Sequence, residues 1–169
     1  VEKFGLLRGD SELEVPAAIR GAGRQAQAAY LRALFQSDGT VRLRSRSTRT
    51  SDVVLTTVSH PLAAGVQALL LNLGIYGRVQ MGVEKRENRR TPWFVSIGYA
   101  EARRAFRELI GFVSEEKRAK LDAACSEEYP GKSLPSVREE TILRIEQLGV
   151  ERVFDIQTES SQYLSNNVL

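Results

Sequence analysis

The sequence predicts an α+β domain whose elements follow the order helix, hairpin, helix, hairpin, helix, helix. Residues 22–36 have the apolar spacing of a helix, and over residues 41–46 the apolar period falls to two. The same succession of helix and hairpin begins again at residue 60. Because an antiparallel sheet buries one face, we expect the helices to pack on one side of it.

The first helix should bury its large side chains and end at Gly39, a residue type common just after helix ends. The predicted hairpin after it pairs residues 41–46 with the β-branched stretch 53–59. The side chains expected to face the domain's own core are Tyr30, Leu31, Leu34 and Phe35.

His60 and Pro61 begin the second predicted helix, which ends at Gly74 because proline is tolerated in a first turn and glycine follows helix ends. A second hairpin is predicted from residues 77–83 and 93–98. Two further helices are predicted at 100–110 and 114–124.

Four segments follow from these patterns: an approach segment (1–21), the main domain (22–125), a turn-rich linker (126–140) and a small all-β unit (141–169). Within the last unit, strands are predicted at 141–145, 153–158 and 163–169.

Charge is divided unevenly between these parts of the chain. Residues 1–125 hold 20 Lys and Arg against 13 Asp and Glu, an excess of +7, whereas residues 126–169 hold 4 against 8, an excess of −4. A basic domain followed by an acidic tail suggests that only the first part suits a polyanion. No stretch has the apolar length of a membrane span or signal peptide, so we expect a cytoplasmic protein. The single cysteine, Cys125, is predicted to be structural.

The segment 31–39, LRALFQSDG, resembles the motif of the LAGLIDADG homing endonucleases. Both leucines and the final Asp-Gly match, Ala33 stands for the small glycine, and Gln36 replaces the first acidic residue. The resemblance covers residues 10–124 and implies a saddle-like antiparallel sheet packed on helices, in a site-specific endonuclease of double-stranded DNA. A DNA-binding or RNA-binding module of the same fold without cleavage is the alternative.

A stripe of small residues on the first helix permits close approach of a partner helix: Ala29, Ala33 and Ser37 recur every fourth position. The partner would be a second LAGLIDADG repeat, upstream in the natural chain or in a homodimer. Two such helices would bring Asp38 close to its counterpart, and paired carboxylates suit Mg²⁺, a cation that assists phosphodiester hydrolysis. Asp38 is thus the predicted metal ligand and catalytic residue. The plainer interpretation is a polar residue at a helix end.

The predicted strands place polar side chains on one face of the sheet, since successive residues alternate sides. Such a face could hold phosphates and contact base edges in a major groove, although a solvated sheet face would have the same pattern. Mutual repulsion of alternating arginines favours a polyanion partner. The predicted DNA-binding residues are Arg42, Arg44, Arg46, Arg78 and Gln80, with Lys85 and Arg86 from the second hairpin turn.

Lys117 follows Ile110-Gly111-Phe112, which resembles the segment leading to a basic residue near the scissile phosphate in this family. It is therefore a candidate catalytic residue by resemblance. The alternative is an ordinary lysine on an exposed helix.

Residues 141–169 resemble the C-terminal block of inteins, in which a strand such as Phe154-Asp155-Ile156 precedes an Asn-rich turn. The resemblance implies a partner, the N-terminal part of the splicing domain. It also implies a fragment that does not splice, because the terminal His-Asn pair is absent from the sequence. The approach to the motif is similar to inteins of ribonucleotide reductases.

Overall fold

A computed structural model describes residues 9, 12–45, 50–84, 86–87, 89–126, 143–147 and 149–150. The chain divides into two units, residues 1–133 and 134–169. The first unit contains, in chain order, α1 (Ala17–Arg20), α2 (Arg24–Asp38), β1 (Gly39–Arg42), β2 (Asp52–Thr57), α3 (His60–Asn72), β3 (Arg78–Met81), β4 (Trp93–Ile97), α4 (Ala100–Leu109) and α5 (Glu115–Cys125).

The four strands form one antiparallel sheet in the order β1-β2-β4-β3. Each predicted hairpin therefore forms, and the second strands of the two hairpins pair at the centre of the sheet. The predicted α+β architecture is confirmed, with the short helix α1 as an addition before it.

One face of the sheet forms the core together with the helices. Val53, Leu55, Val95 and Ile97 lie on this face and are at most 1% exposed. Burial of these branched side chains against α2 and α3 supplies most of the favourable free energy of such a layered fold.

Helix α2 packs on this core through Leu31 and Phe35, which are fully buried. Tyr30 and Leu34 are partly buried. The ring of Phe35 meets that of Phe106 edge-on, with centroids 4.9 Å apart. Burial raises the pKa of Tyr30. The apolar face predicted from the sequence is the face that packs.

The helix ends before Gly39, as predicted, but for a different physical reason. Gly39 has φ −89° and ψ 152°, an extended conformation, so the chain passes from α2 into β1 without a left-handed turn. A Cβ at this position would lie 2.5 Å from the carbonyl oxygen of Phe35. Glycine is needed here because there is no room for a side chain.

The described part of the approach segment packs on α3. Val15 is fully buried against Gly65 of α3. A Cβ at Gly65 would lie only 2.7 Å from a methyl group of Val15. The hydroxyl of Ser59 donates to the carbonyl of Leu13 and accepts the N–H of Leu62 at 3.2 Å, which caps α3. His60 and Pro61 begin α3, as the sequence predicts.

In the second unit, residues 143–147 and 149–150 have no regular secondary structure. The strand predicted over residues 141–145 is therefore not formed over its described part, 143–145. The strands predicted at 153–158 and 163–169 lie outside the described residues.

Candidate nucleic-acid interface

The face of the sheet turned away from the helices carries polar side chains in register. On β3, Arg78 is paired with Ser96 and Gln80 with Phe94. Ser96 is in turn paired with Val54, and Val54 with Thr40, so Thr40 lies on the same face as Arg78. Arg42 lies two residues after Thr40 and therefore shares this face. Arg42, Arg78 and Gln80 thus share one face, as the alternation predicts, and all three are exposed. Their contact with DNA remains a prediction.

The first strand is shorter than predicted, because β1 ends at Arg42. Arg44 lies in irregular backbone beyond it, is exposed, and donates its backbone N–H to the Ser51 hydroxyl at 2.8 Å. Arg86 is exposed in the second hairpin turn. Arg46 and Lys85 lie outside the described residues.

Arg42 and Arg86 have carboxylate partners. Arg42 donates from Nε to Asp52 Oδ1 at 2.8 Å and also from a terminal nitrogen to Oδ2, which raises its pKa. Arg86 pairs with Glu84 at 3.0 Å, which raises its pKa as well. The inference that repulsion between alternating arginines favours a polyanion partner was wrong for Arg42. Its cross-strand neighbour supplies the countercharge, so repulsion is not an argument for DNA at this position.

An open cleft of about 750 Å³ adjoins the polar face at the second hairpin. Thr56 and Phe94, from the central strands, line it together with basic residues of the turn: Arg86, Arg89 and Arg90. Arginine side chains beside an aromatic ring form a surface suited to phosphates and bases.

At the other site, the end of α2, Asp38 is exposed. Within the part of the chain that the structure describes, its carboxylate has no hydrogen-bond or ion-pair partner. A helix C-terminus carries partial negative charge, so a carboxylate there is electrostatically unfavourable.

Lys117, the second catalytic candidate, reaches the same helix end from α5. Its ammonium group donates to the carbonyl oxygens of Gln36 at 2.6 Å and Gly39 at 2.7 Å, and a longer contact of 3.5 Å joins it to Phe35. The structure therefore brings Lys117 next to the segment that carries Asp38. Its ammonium group caps the helix rather than projecting into solvent.

Sequence reasoning missed the role of Gln36, which it treated only as a departure from the motif. Its Oε1 accepts the backbone N–H groups of Val113 at 2.9 Å and Ser114 at 3.1 Å. Since the partners lie 77 and 78 residues further along the chain, no local sequence signal could have identified them.

The stripe of small residues on α2 lies at the surface. Ala29, Ala33 and Ser37 are all exposed, and the Ser37 hydroxyl donates back to the carbonyl of Leu34 at 3.0 Å. A partner helix could approach closely along this stripe. Pairing of two repeats there remains a prediction.

The residues at the end of α2 fit only half of a hard-cation site. Among the described residues, no group of three or more His, Cys, Asp and Glu side chains is placed to hold a metal ion. Asp38 supplies one oxygen donor of the type that Mg²⁺ prefers. By themselves, the described residues at the end of α2 do not make a complete metal site.

Three further basic residues bind backbone carbonyls at helix ends or beside the strands. Arg103, only 1% exposed, donates to the carbonyls of Ala124, Ser51 and Gly98 at 3.2, 2.9 and 2.6 Å. Arg24 donates to the carbonyls that end α3, and Arg32 to that of Ile110 after α4. Composition alone could not distinguish these cations from those on the sheet face.

The fold, the motif at the end of α2 and the polar sheet face together are those of a LAGLIDADG-type α+β domain, and the family comparison agrees. Residues 25–111 match the model of the LAGLIDADG-like domain. The chain belongs to this family, and the resemblance inferred from residues 31–39 is confirmed.

Its relatives include proteins of three different names. The chain is 36% identical over 118 residues, 70% of its length, to the replicative DNA helicase DnaB of Rhodothermus marinus. It is 37% identical over 76 residues, 45% of its length, to the ribonucleoside-diphosphate reductase NrdEB subunit alpha of Bacillus subtilis. It is 29% identical over 166 residues, 96% of its length, to the replication factor C small subunit of Methanocaldococcus jannaschii. The chain spans 12%, 7% and 8% of these proteins.

Among the described residues, no helix combines the length and apolar character that crossing a bilayer requires.

Proposed function

We propose that this chain is one repeat of a site-specific endonuclease that hydrolyses phosphodiester bonds in double-stranded DNA with Mg²⁺. The observation that carries the proposal is the exposed Asp38 carboxylate at the negative end of α2, directly before the strand that begins the polar sheet face. One continuous stretch of chain therefore carries both the proposed catalytic carboxylate and the first strand of the proposed DNA-binding face.

The residues divide the work as follows. Arg78, Arg44 and the basic hairpin turn bind phosphates, and Gln80 contacts a base edge from the exposed face of β3. Asp38, together with the carboxylate of a second repeat, would hold the cation. Mg²⁺ bound there would supply stabilisation of the attacking and leaving oxygens of an in-line displacement.

The partner is a second LAGLIDADG repeat docked along the exposed stripe of Ala29, Ala33 and Ser37. Small side chains bring the two helix axes close, so that the ends carrying the carboxylates converge. The second repeat is either another part of the natural protein or a second copy of this chain.

The natural context that we propose is an intein. Segments similar to this chain occur in a helicase, a reductase subunit and a replication factor, in each case as a small part of a much longer protein. Because the similar segment occurs in three differently named proteins, we infer that it is an element inserted into different host proteins. A ribonucleotide reductase is one candidate host, and the partner of residues 141–169 would be the N-terminal part of the splicing domain.

The test is Asp38→Asn in the natural protein that carries both repeats. Because the amide cannot serve as an anionic ligand, we expect Mg²⁺-dependent cleavage to be lost, by a factor of roughly 10³ or more, with DNA affinity and folding unchanged. Glu108→Gln, an exposed carboxylate on α4, is the matched control and should cleave like the wild type.

The second candidate function is DNA binding without cleavage, which the capping role of Lys117 favours. Tight binding without cleavage by the wild-type protein at any Mg²⁺ concentration would establish it. Wild-type cleavage by Asp38→Asn would remove Asp38 from the chemistry.

A further inference from the structure

The C-terminal end of α2 and the beginning of α5 hold each other by two sets of hydrogen bonds that run in opposite directions. From α2, the Gln36 side chain accepts the N–H groups of Val113 and Ser114 at 2.9 and 3.1 Å. From α5, Lys117 donates to the carbonyls of Gln36 and Gly39 at 2.6 and 2.7 Å. We name this arrangement the α2–α5 clasp. In the chain, Asp38 lies between the two carbonyls that Lys117 binds.

Each half of the clasp complements the charge of the helix end that it touches. The backbone N–H groups just before α5 need an acceptor, and the side-chain oxygen Oε1 of Gln36 supplies one. The carbonyls at the end of α2 carry partial negative charge, and the Lys117 ammonium offsets that charge. Phe112, 5% exposed, lies under the ammonium at 5.6 Å and closes the clasp toward the core.

We propose that Gln36 and Lys117 are positioning residues, which hold the Asp38 carboxylate in the place where it binds a divalent cation. The proposal rests on the function proposed above for Asp38. Its physical basis is that these bonds fix the backbone on both sides of Asp38, and that removing the groups which support a metal ligand typically weakens metal binding by about 10-fold to 100-fold. In this proposal Lys117 acts through the backbone of α2.

Gln36→Ala and Gln36→Glu in the natural two-repeat protein test this inference. Alanine removes the acceptor, whereas a glutamate carboxylate can still accept both N–H groups. For Gln36→Ala we expect faster amide hydrogen exchange at Val113 and Ser114. We also expect about 10-fold weaker Mn²⁺ binding to the DNA complex, measured by calorimetry. Gln36→Glu should restore both, and DNA affinity without metal should be unchanged in either variant.

The outcomes separate this inference from the proposed function. Faster exchange at Val113 and Ser114 with unchanged Mn²⁺ affinity would make the clasp purely structural and overturn the inference. Wild-type Mn²⁺ binding and cleavage by Asp38→Asn would overturn the metal-ligand assignment instead. If Gln36→Ala does not fold, Lys117→Met provides the same measurement from the other half of the clasp. Its Mn²⁺ affinity should fall about 10-fold, and an unchanged value would overturn the inference.

Discussion

The helix layer and the sheet face of this domain use basic residues in different ways. In the helix layer, Arg103, Arg24, Arg32 and Lys117 direct their donors at backbone carbonyls that end helices or lie in the core. On the sheet side, Arg42 and Arg86 pair with carboxylates, and Arg78 is exposed to solvent. The comparison teaches that a basic composition does not measure affinity for DNA, because part of the charge stabilises the fold.

Arg103→Met should produce the largest change in stability. Three buried or partly buried carbonyls lose their donor while the apolar volume is roughly kept, and we expect the free energy of unfolding to fall by about 3 kcal/mol or more. Urea denaturation measures this. Arg104→Met, at the adjacent exposed position of α4, should stay within roughly 0.5 kcal/mol of wild type. Equal stability of the two variants would contradict the division between the two groups of cations.

Arg78→Ala should weaken DNA binding and leave stability almost unchanged. Loss of one phosphate contact should cost about 1 kcal/mol and make the slope of log affinity against log salt shallower by about 1. Fluorescence anisotropy over a salt series measures both quantities. The control is Arg104→Ala on the helix layer, for which the salt slope should equal that of wild type. A slope unaffected by Arg78→Ala would count against the sheet face as the binding surface.

Arg24→Met should lower stability slightly and leave DNA binding unchanged, the reverse of what is expected for Arg78→Ala. Its guanidinium donates to the carbonyls of Asn72 and Leu73 at 2.7 and 3.3 Å, and removing this cap of α3 should cost about 0.5–1 kcal/mol of stability. DNA affinity should not change, even though the same charge is removed as in Arg78→Ala. Gln25→Met, next to it on α2, controls for the change in side chain. A drop in DNA affinity for Arg24→Met would show that the helix layer also contacts DNA.

The smallest expected effect is on the rate at which the Cys125 thiol is alkylated. Burial raises the pKa of this thiol, so less of the reactive thiolate is present near neutral pH than in a solvated cysteine. Alkylation by iodoacetamide should be slower in the folded protein than in urea, and the folded rate should rise as pH increases toward the raised pKa. Equal rates in the two states would mean that the C-terminal turn of α5 opens readily to solvent.

The sequence predicted the elements that depend on local periodicity. The order of helices and hairpins, the buried face of α2 and the sharing of one face by Arg78 and Gln80 all follow from spacings of two or about 3.6 residues. The end of β1 at Arg42 was not predictable from the Arg alternation, because alternating residues continue to residue 46 while strand pairing stops earlier. The Asp52 partner of Arg42 follows only from the cross-strand register.

Contacts between residues far apart in the chain could not be predicted from the sequence. The bonds from Gln36 to Val113 and from Arg103 to Ser51 join elements separated by 77 and 52 residues. A lone glutamine or arginine in a helix has the same sequence appearance whether it is solvated or bound to a distant backbone. Asp38 is the exception, because the family resemblance of residues 31–39 singles it out from the sequence alone.

The chain passes directly from α2 into β1 at Gly39, with no loop between Asp38 and the first residue of the strand. If Asp38 binds the cation and β1 contacts DNA, as we propose, this direct passage fixes the distance between the site of cleavage and the recognition strand. Redesign of the exposed side chains on the strands should therefore change which base pairs are preferred without moving the cut relative to them. An insertion at Gly39 would change that spacing, and the close contact with the Phe35 carbonyl leaves no space for one. In the proposed function, the backbone at Gly39 would therefore set the position of the cut, and the exposed side chains of the strands would set the preferred target sequence.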